Sequence, residues 1–173
     1  MIYILTGPVH CGKTTSLKEV VRGLKGTSLT VGGFLTESIV ENQENVGYDL
    51  LDLRENKSLP YIRRTGEDDW QKIGPFYFIP ESLAKAREII LRDCNTDVLV
   101  IDEIGPLELS GKGLWPALKK VLFQHSVKLL LVVRANILDK FLKMMDNTEV
   151  LLFDYDKEGV GAQMIDALTD QEV

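Results

Sequence analysis

Four short runs, apolar at nearly every position, recur along the chain at residues 2–5, 98–101, 129–133 and 150–153. Continuous apolarity over four or five residues is typical of strands buried on both faces, as in a parallel sheet. A strand with one solvated face would alternate between apolar and polar side chains instead. The pattern therefore predicts four core strands in a mostly parallel sheet.

Five helices are predicted by apolar residues that recur at intervals of three and four positions between and after these strands. The first stripe covers residues 17–24, and Gly26 stands where that helix would end. The other stripes begin and end at Leu83 and Ile90, Leu114 and Leu122, Leu138 and Met145, and Val160 and Leu168. Strands that alternate with helices predict an α/β fold of three layers, with helices on both faces of the sheet.

Residues 30–79 interrupt this alternation with strand-like segments. These segments are "TVGGFLTESIV", "VGYDLLDL", "SLPYIRR" and "FYFI", and the polar "ENQEN" between the first two predicts a hairpin loop. We expect an antiparallel meander inserted at the edge of the sheet around residues 30–79. Because the sequence shows no internal repeat and no low-complexity linker, residues 1–173 are predicted to form one domain.

The composition limits the classes of protein to consider. Of the 173 residues, 45% are hydrophobic and 27% are charged, which is typical of a globular chain. The formal net charge of -6 disfavours binding to nucleic acid or to a membrane surface, and no apolar run approaches the roughly 20 residues that span a bilayer. We expect a cytoplasmic protein, acting as a monomer, whose Cys11 and Cys94 are reduced thiols.

The segment "GPVHCGKT", directly after the first predicted strand, completes the pattern G-x-x-x-x-G-K-[ST] of a phosphate-binding loop. Glycines let consecutive backbone N–H groups converge on an anion, and the following helix adds its N-terminal amides. In this motif Lys13 contacts the β- and γ-phosphates and the Thr14 hydroxyl binds Mg²⁺. The residues predicted to bind the nucleotide are Gly7, Pro8, Val9, His10, Cys11, Gly12, Lys13, Thr14 and Thr15. An ordinary glycine turn is the alternative, but the strand before the motif and the amphipathic helix after it favour the phosphate loop.

Carboxylates for the same site follow the second apolar run, in "VLVIDEIG". Ligands bind outside the carboxyl ends of parallel strands, so Asp102 can meet Thr14 across a magnesium ion. Glu103 could accept a proton from water that attacks the γ-phosphate, which favours hydrolysis over transfer to a small acceptor. It could instead bind a sugar hydroxyl or a basic acceptor.

Three arginines follow strand-like segments and leave alternatives open. Arg134 ends the third apolar run; if that strand lies between the other two site-bearing strands, Arg134 would stabilise charge on the γ-phosphate in catalysis. Otherwise it is a surface arginine paired with a carboxylate. Arg63 and Arg64 belong either to a lid over the nucleotide or to a solvated strand edge, and the edge is the better interpretation.

With these residues in place, the chain resembles the small nucleoside-triphosphatases of the thermophile (THEP) type. The resemblance rests on "GPVHCGKTT", "VGGFLTE", "VGYDLLDL" and "VLVIDEIGPLEL" in that order, and it covers residues 1 to about 154. It implies a RecA-like α/β core, dependence on Mg²⁺, and slow hydrolysis of ATP, GTP and other nucleoside triphosphates to diphosphate and phosphate. No base-selective motif is present, which agrees with broad base specificity. In "GPLELSGKGLWPAL" we expect no role beyond shaping the edge of the active site.

Two other functions use the same loop. A nucleotide or small-metabolite kinase would place its acceptor in a pocket formed by residues 30–79. A nucleotide-binding switch would bind diphosphate and triphosphate with little turnover. Phosphate release with and without an acceptor would separate these functions from a nucleoside-triphosphatase.

Overall fold

The computed structural model describes residues 1–8, 13–124, 127–145 and 148–170, except for the side chains of Glu103 and Gln124. In chain order the strands are β1 (Ile2–Gly7), β2 (Val31–Glu41), β3 (Glu44–Asp52), β4 (Lys57–Arg63), β5 (Lys72–Ile73), β6 (Phe76–Phe78), β7 (Val98–Ile104), β8 (Lys128–Arg134) and β9 (Val150–Asp154). The helices are α1 (Lys13–Lys25), α2 (Pro80–Arg92), α3 (Pro106–Leu109), α4 (Trp115–Gln124), α5 (Leu138–Met144) and α6 (Val160–Thr169).

The parallel part of the sheet has the order β2-β7-β8-β1-β9, and each neighbouring pair in it is parallel. One apolar cluster, on the face that α2, α4 and α5 cover, includes Ile4 and Ile101. The other cluster, beneath α1 and α6, includes Leu5 and Val100. Successive strand residues thus face opposite helical layers, which requires both to be apolar. The predicted three-layer α/β fold is confirmed.

The five predicted helices are all present, and their ends follow known sequence signals. Helix α1 covers residues 13–25, and the N–H of Gly26 donates to the carbonyl oxygen of Arg22. Helix α2 begins at Pro80, where a missing N–H costs no helical hydrogen bond. Helix α3 was not predicted, because its four residues are too few to show a helical repeat. In the described part of the chain, no helix has the length and apolarity to cross a membrane.

The meander is present at one edge of the sheet, in the order β5-β6-β4-β3-β2. Its hairpin loop is the predicted one: Asn42 and Gln43 adopt φ of 48° and 66° between the paired Glu41 and Glu44. Two successive residues of positive φ suit a two-residue hairpin. The structure refines one boundary, since residues 31–34 of β2 pair in parallel with β7. Strand β2 therefore starts as a core strand and continues into the meander.

A buried ion-pair cluster joins the base of the meander to the end of α2. Asp93 is 0% exposed and accepts the backbone N–H of Gly33 at 2.9 Å. Arg92 lies between two carboxylates, 2.7 Å from Asp93 and 2.9 Å from Asp52. Gly33 has φ of +93°, and a Cβ there would lie 1.9 Å from the carbonyl oxygen of Val100. Only glycine therefore fits at this point of the "VGGFLTE" segment.

Candidate active site

Lys13, the lysine of the predicted phosphate loop, lies at the first position of α1. Its side chain is buried, and its ammonium donates to the carbonyl oxygen of Gly7 at 3.3 Å and to that of Pro8. A buried ammonium needs such partners, and here the loop itself supplies them. Gly7 is buried, whereas Pro8 and Thr15 are exposed. The predicted ligands Val9, His10, Cys11 and Gly12 lie outside the described residues.

The two predicted magnesium ligands lie in contact. The Thr14 hydroxyl donates to Oδ2 of Asp102 at 3.1 Å, although 88 positions separate them in the sequence. Asp102 is 1% exposed. A hydroxyl and a carboxylate are hard oxygen donors, and Mg²⁺ commonly takes one or two protein ligands and keeps several waters. Thr14 and Asp102 are thus a donor set of the kind that binds Mg²⁺; within the described residues no group of three or more His, Cys, Asp or Glu could hold a metal ion.

Thr36 is a site residue that the sequence analysis missed. Its backbone N–H and its hydroxyl both lie 3.1 Å from Oδ2 of Asp102, and the residue is 9% exposed. Both groups donate to the same oxygen, so they hold the Asp102 carboxylate in one orientation. The segment "VGGFLTE" is one of those that carry the family resemblance, but only the tertiary contacts show that its threonine reaches Asp102.

Asp102 and Glu103 occupy an irregularity in β7. Ile101 pairs with Leu131 of β8 and Ile104 pairs with Val133, so two residues of β7 stand opposite one residue of β8. Such a β-bulge changes the directions of the side chains at that point. The side chain of Glu103 lies outside the described part of the chain, so its predicted role as a base stays a prediction.

Arg134 ends β8, and β8 lies between β1 and β7, as the sequence analysis required for its catalytic role. In the parallel register Arg134 stands opposite Gly7, the first glycine of the loop. The side chain is partly buried and lines a cavity beside the site. This position is compatible with a contact to the γ-phosphate.

The cavity lies between the meander and the segment that follows β7. It encloses about 520 Å³ of open space, including its mouth. The residues that line it are Thr36, Tyr48, Tyr61, Ile62, Ile73, Phe78, Gly105, Pro106, Leu107, Glu108 and Arg134. Because Thr36 and Arg134 belong both to its wall and to the candidate active site, the cavity adjoins the predicted position of the γ-phosphate.

Glu108 holds the segment between β7 and α4 in place. It is 4% exposed, and its carboxylate accepts the backbone N–H of Gly105 at 2.9 Å and that of Leu114 at 2.8 Å. Gly113 adopts φ of +58°, and a Cβ there would lie 2.1 Å from Oε1 of Glu108. Burial raises the pKa of the Tyr61 hydroxyl, and the negative charge of Glu108 raises that pKa further. The segment predicted only to shape the edge of the active site therefore forms a cavity wall.

Arg63 and Arg64 have partners inside the meander. Arg63 contacts Asp49 at 2.6 Å and donates to the carbonyl oxygen of Tyr48 at 2.8 Å. Arg64 lies 3.2 Å from Glu44. These contacts favour the strand-edge interpretation over a lid.

Known proteins share both sequence and fold with this chain. The sequence model of a family described as NTPase matches residues 2–161. The chain is 29% identical over 130 residues to nucleoside-triphosphatase THEP1 of Methanopyrus kandleri, a match that covers 75% of this chain and 71% of that protein. It is 32% identical over 119 residues to the Saccharolobus solfataricus protein of that name, covering 68% and 65% respectively. The matched regions thus span about two thirds of these relatives.

A solved structure agrees with these matches. The crystal structure of THEP1 from Aquifex aeolicus superimposes with a TM-score of 0.79 over 98% of this chain and 100% of that one, at 19% identity. At that identity the likeness shows a shared fold. The family match runs through the phosphate loop, the meander and β8. The chain therefore belongs to the NTPase family.

Proposed function

We propose that this protein is a Mg²⁺-dependent nucleoside-triphosphatase that hydrolyses ATP, GTP and other nucleoside triphosphates to diphosphate and phosphate. The observation that carries the proposal is the contact between the Thr14 hydroxyl and Asp102 at 3.1 Å, beside the buried ammonium of Lys13. The relatives named nucleoside-triphosphatase THEP1 support the reaction class.

Each site residue has a separate part in this proposal. Lys13 binds the β- and γ-phosphates, exchanging its contacts with loop carbonyl oxygens for phosphate oxygens. Thr14 and Asp102 would hold the magnesium ion, which when bound offsets negative charge on the phosphates. Thr36 fixes the orientation of the Asp102 carboxylate.

In the proposed reaction a water oxygen bonds to the γ-phosphorus while the bond from that phosphorus to the bridging oxygen breaks. The water proton passes to Glu103, and the bridging oxygen leaves with the diphosphate. Arg134 offsets the negative charge that develops on the transferred group. Broad base specificity follows from the absence of a base-selective motif in the sequence.

The test is phosphate release with ATP, GTP, CTP and UTP, each with and without Mg²⁺. We expect turnover of all four and none without the metal. Glu103→Gln should retain nucleotide binding but lower kcat by about 10²–10⁴-fold, the usual contribution of a general base. Glu149→Gln, an exposed carboxylate beyond the opposite end of the sheet, is the matched control. Unchanged turnover in Glu103→Gln would remove Glu103 from the mechanism.

A phosphotransferase is the second candidate, and the cavity beside Arg134 is the observation that favours it. Its acceptor would sit in that cavity, and phosphate release would stay negligible until the acceptor is added. A nucleotide-binding switch would show tight binding of diphosphate and triphosphate with almost no release under saturating Mg²⁺. The same assay separates all three functions.

A further inference from the structure

The cavity between the meander and α3 has the properties of a small-molecule site in its own right. It is an open pocket of about 520 Å³, a volume that includes solvent at its mouth, and its walls are mostly apolar and aromatic with few polar groups, as in ligand pockets. Three aromatic side chains line it, those of Tyr48, Tyr61 and Phe78, together with aliphatic residues. Apart from Arg134, none of its described lining residues is among those assigned to bind the nucleotide or the metal.

The aromatic walls are held in place by ring contacts outside the cavity as well as within it. Tyr61 and Phe78 pack edge to face with their centroids 5.5 Å apart, and Tyr61 also contacts Phe34 at 6.3 Å. Tyr48 packs edge to face against Phe76 at 5.6 Å. Because these side chains are already ordered, ligand binding does not carry the entropic cost of ordering them. The cavity is therefore preorganised for a flat, apolar group.

The wall holds a cationic group that can pair with an anion. Among the described lining residues Arg134 is the one cation and Glu108 the one acid. The carboxylate of Glu108 accepts the backbone N–H groups of Gly105 and Leu114, so each of its oxygens is already hydrogen-bonded. A guanidinium pairs with carboxylate or phosphate through two parallel hydrogen bonds, so Arg134 supplies an anion-binding group at one side of an apolar space.

We propose that this cavity binds a small aromatic anion, meaning one planar ring that carries a carboxylate or a phosphate. The ring packs against Tyr48, Tyr61 and Phe78, and the anion pairs with Arg134. Arg134 stands opposite Gly7 in the sheet, so the ligand lies beside the nucleotide phosphates without occupying the phosphate loop. The expected effect of this ligand on turnover rests on the proposed function, whereas the binding of the ligand does not.

Binding is tested on the full chain without nucleotide, by ¹⁹F NMR titration with 4-fluorobenzoate. The probe 4-fluorobenzamide keeps the ring and lacks the charge, whereas cyclohexanecarboxylate, added as a competitor, keeps the charge and lacks the aromatic ring. We expect 4-fluorobenzoate to bind about tenfold or more tightly than the amide, because hydrogen bonds to charged groups are the stronger ones. Cyclohexanecarboxylate should compete weakly. Equal affinity of the amide, or no binding of 4-fluorobenzoate, would overturn the proposal.

Variants locate the site. Ile73→Trp fills the cavity from the short strand β5 and should weaken 4-fluorobenzoate binding at least tenfold, with the smaller Ile73→Phe between it and the wild type. Val40→Trp changes an exposed residue of the same meander and should bind normally. Lys13→Ala should also bind normally, because Lys13 lies outside the cavity. Loss of binding in Lys13→Ala, or full binding in both Ile73 variants, would show that the probe binds elsewhere.

Turnover gives an independent readout. If the protein hydrolyses nucleoside triphosphates as proposed, 4-fluorobenzoate should lower kcat in the wild type by drawing Arg134 from the γ-phosphate. Ile73→Trp should keep the basal rate and lose this inhibition. Inhibition that persists in Ile73→Trp would contradict the assignment. If the protein releases no phosphate at all, the binding titrations still decide whether the cavity is a site, so the two proposals fail separately.

Discussion

The parallel core and the meander are stabilised in different ways. In the core, residues 2–5 and 98–101 are at most 2% exposed, and their side chains pack into the helical layers on both faces. In the meander, β4 has one buried residue, Tyr61, and β3 has three, Gly47, Leu50 and Asp52. The core therefore depends on apolar burial, whereas the meander buries fewer apolar residues and is also attached by a few specific polar contacts.

The polar contacts that attach the meander also reach the candidate active site. Gly33 bonds to Asp93 at the base of β2, and Thr36 bonds to Asp102 three residues further along the same strand. One strand thus connects a structural ion-pair cluster to the predicted magnesium ligand. Changes on β2 and in the residues that contact it should separate folding from metal binding, and five tests follow from the largest expected effect to the smallest.

Gly33→Ala should have the largest effect, because a Cβ there would meet the carbonyl oxygen of Val100 at 1.9 Å while φ stays at +93°. We expect a loss of roughly 4–5 kcal/mol or more in the free energy of unfolding, measured by urea denaturation. Gly74→Ala is the control: its φ is +56°, but no atom lies within 4 Å of the added Cβ. It should cost only the roughly 1–2 kcal/mol of left-handed backbone strain. Equal losses would show that the contact with Val100 is unimportant.

Asp93→Asn should come next, since it removes one charge from a buried pair with Arg92. Breaking such a pair costs about 3–5 kcal/mol, which urea denaturation would measure. The exposed Asp139→Asn, at the start of α5, should change stability little. If Asp93→Asn lowered the free energy of unfolding by less than about 1 kcal/mol, the pair would contribute no more than a surface ion pair does.

The same cluster predicts acid sensitivity. Burial alone would raise the pKa of Asp93, but hydrogen bonds from Arg92 and Gly33 outweigh it and hold the pKa below the ordinary value of 3.8. The pKa of Asp52 is also below 3.8, because hydrogen bonds, chiefly from Arg92, outweigh the effect of burial. A carboxylate whose pKa is lower in the folded than in the unfolded protein stabilises the fold in full at any pH above its unfolded-state pKa. That stabilisation is lost as the pH falls through its folded-state pKa. Unfolding measured from pH 6 to about pH 2 should therefore show steeper acid destabilisation in the wild type than in Asp93→Asn; parallel curves would contradict this.

Thr36→Val tests the link to the metal with a smaller effect. It removes the hydroxyl that donates to Asp102 but keeps the backbone N–H and the approximate shape. Loss of a group that orients a metal ligand typically lowers metal affinity about 10–100-fold, and the retained backbone N–H should keep the apparent Mg²⁺ affinity near the tenfold end of that range. Calorimetric titration of Mg²⁺ with bound nucleotide measures this, and Ser38→Ala, exposed on the same strand, is the control. A change in stability with unaltered Mg²⁺ affinity would make Thr36 merely structural.

The ion pair between Lys18 and Glu37 should contribute least. It joins α1 to β2 at 2.6 Å, but the two side chains are 41% and 34% exposed. A double-mutant cycle with Lys18→Gln and Glu37→Gln should give a coupling energy of about 0.2–1 kcal/mol that salt reduces further. A coupling well above that range would mean that the meander is also attached through α1.

Local sequence patterns were sufficient to predict a structural element wherever one physical requirement determines it. The four apolar runs became β1, β7, β8 and β9, because a strand covered on both faces must be apolar throughout. The polar "ENQEN" became a two-residue turn, because few segments tolerate two positive φ values. Helix α3 and the pairing of β2 with β7 escaped prediction, since the first is too short for periodicity and the second depends on a partner distant in the sequence.

The amino-acid sequence by itself determined the layered core, because strands and helices that are buried need apolar residues at fixed spacing. It also identified Lys13, Thr14, Asp102 and Arg134 as candidate site residues, because phosphate binding needs particular residue types at particular positions. The tertiary structure alone decided that β8 lies between β1 and β7, that Thr36 holds Asp102, and that an aromatic cavity opens beside Arg134. These features depend on contacts between segments tens of residues apart. No local pattern records such contacts, since they form only when the strands take their order in the sheet.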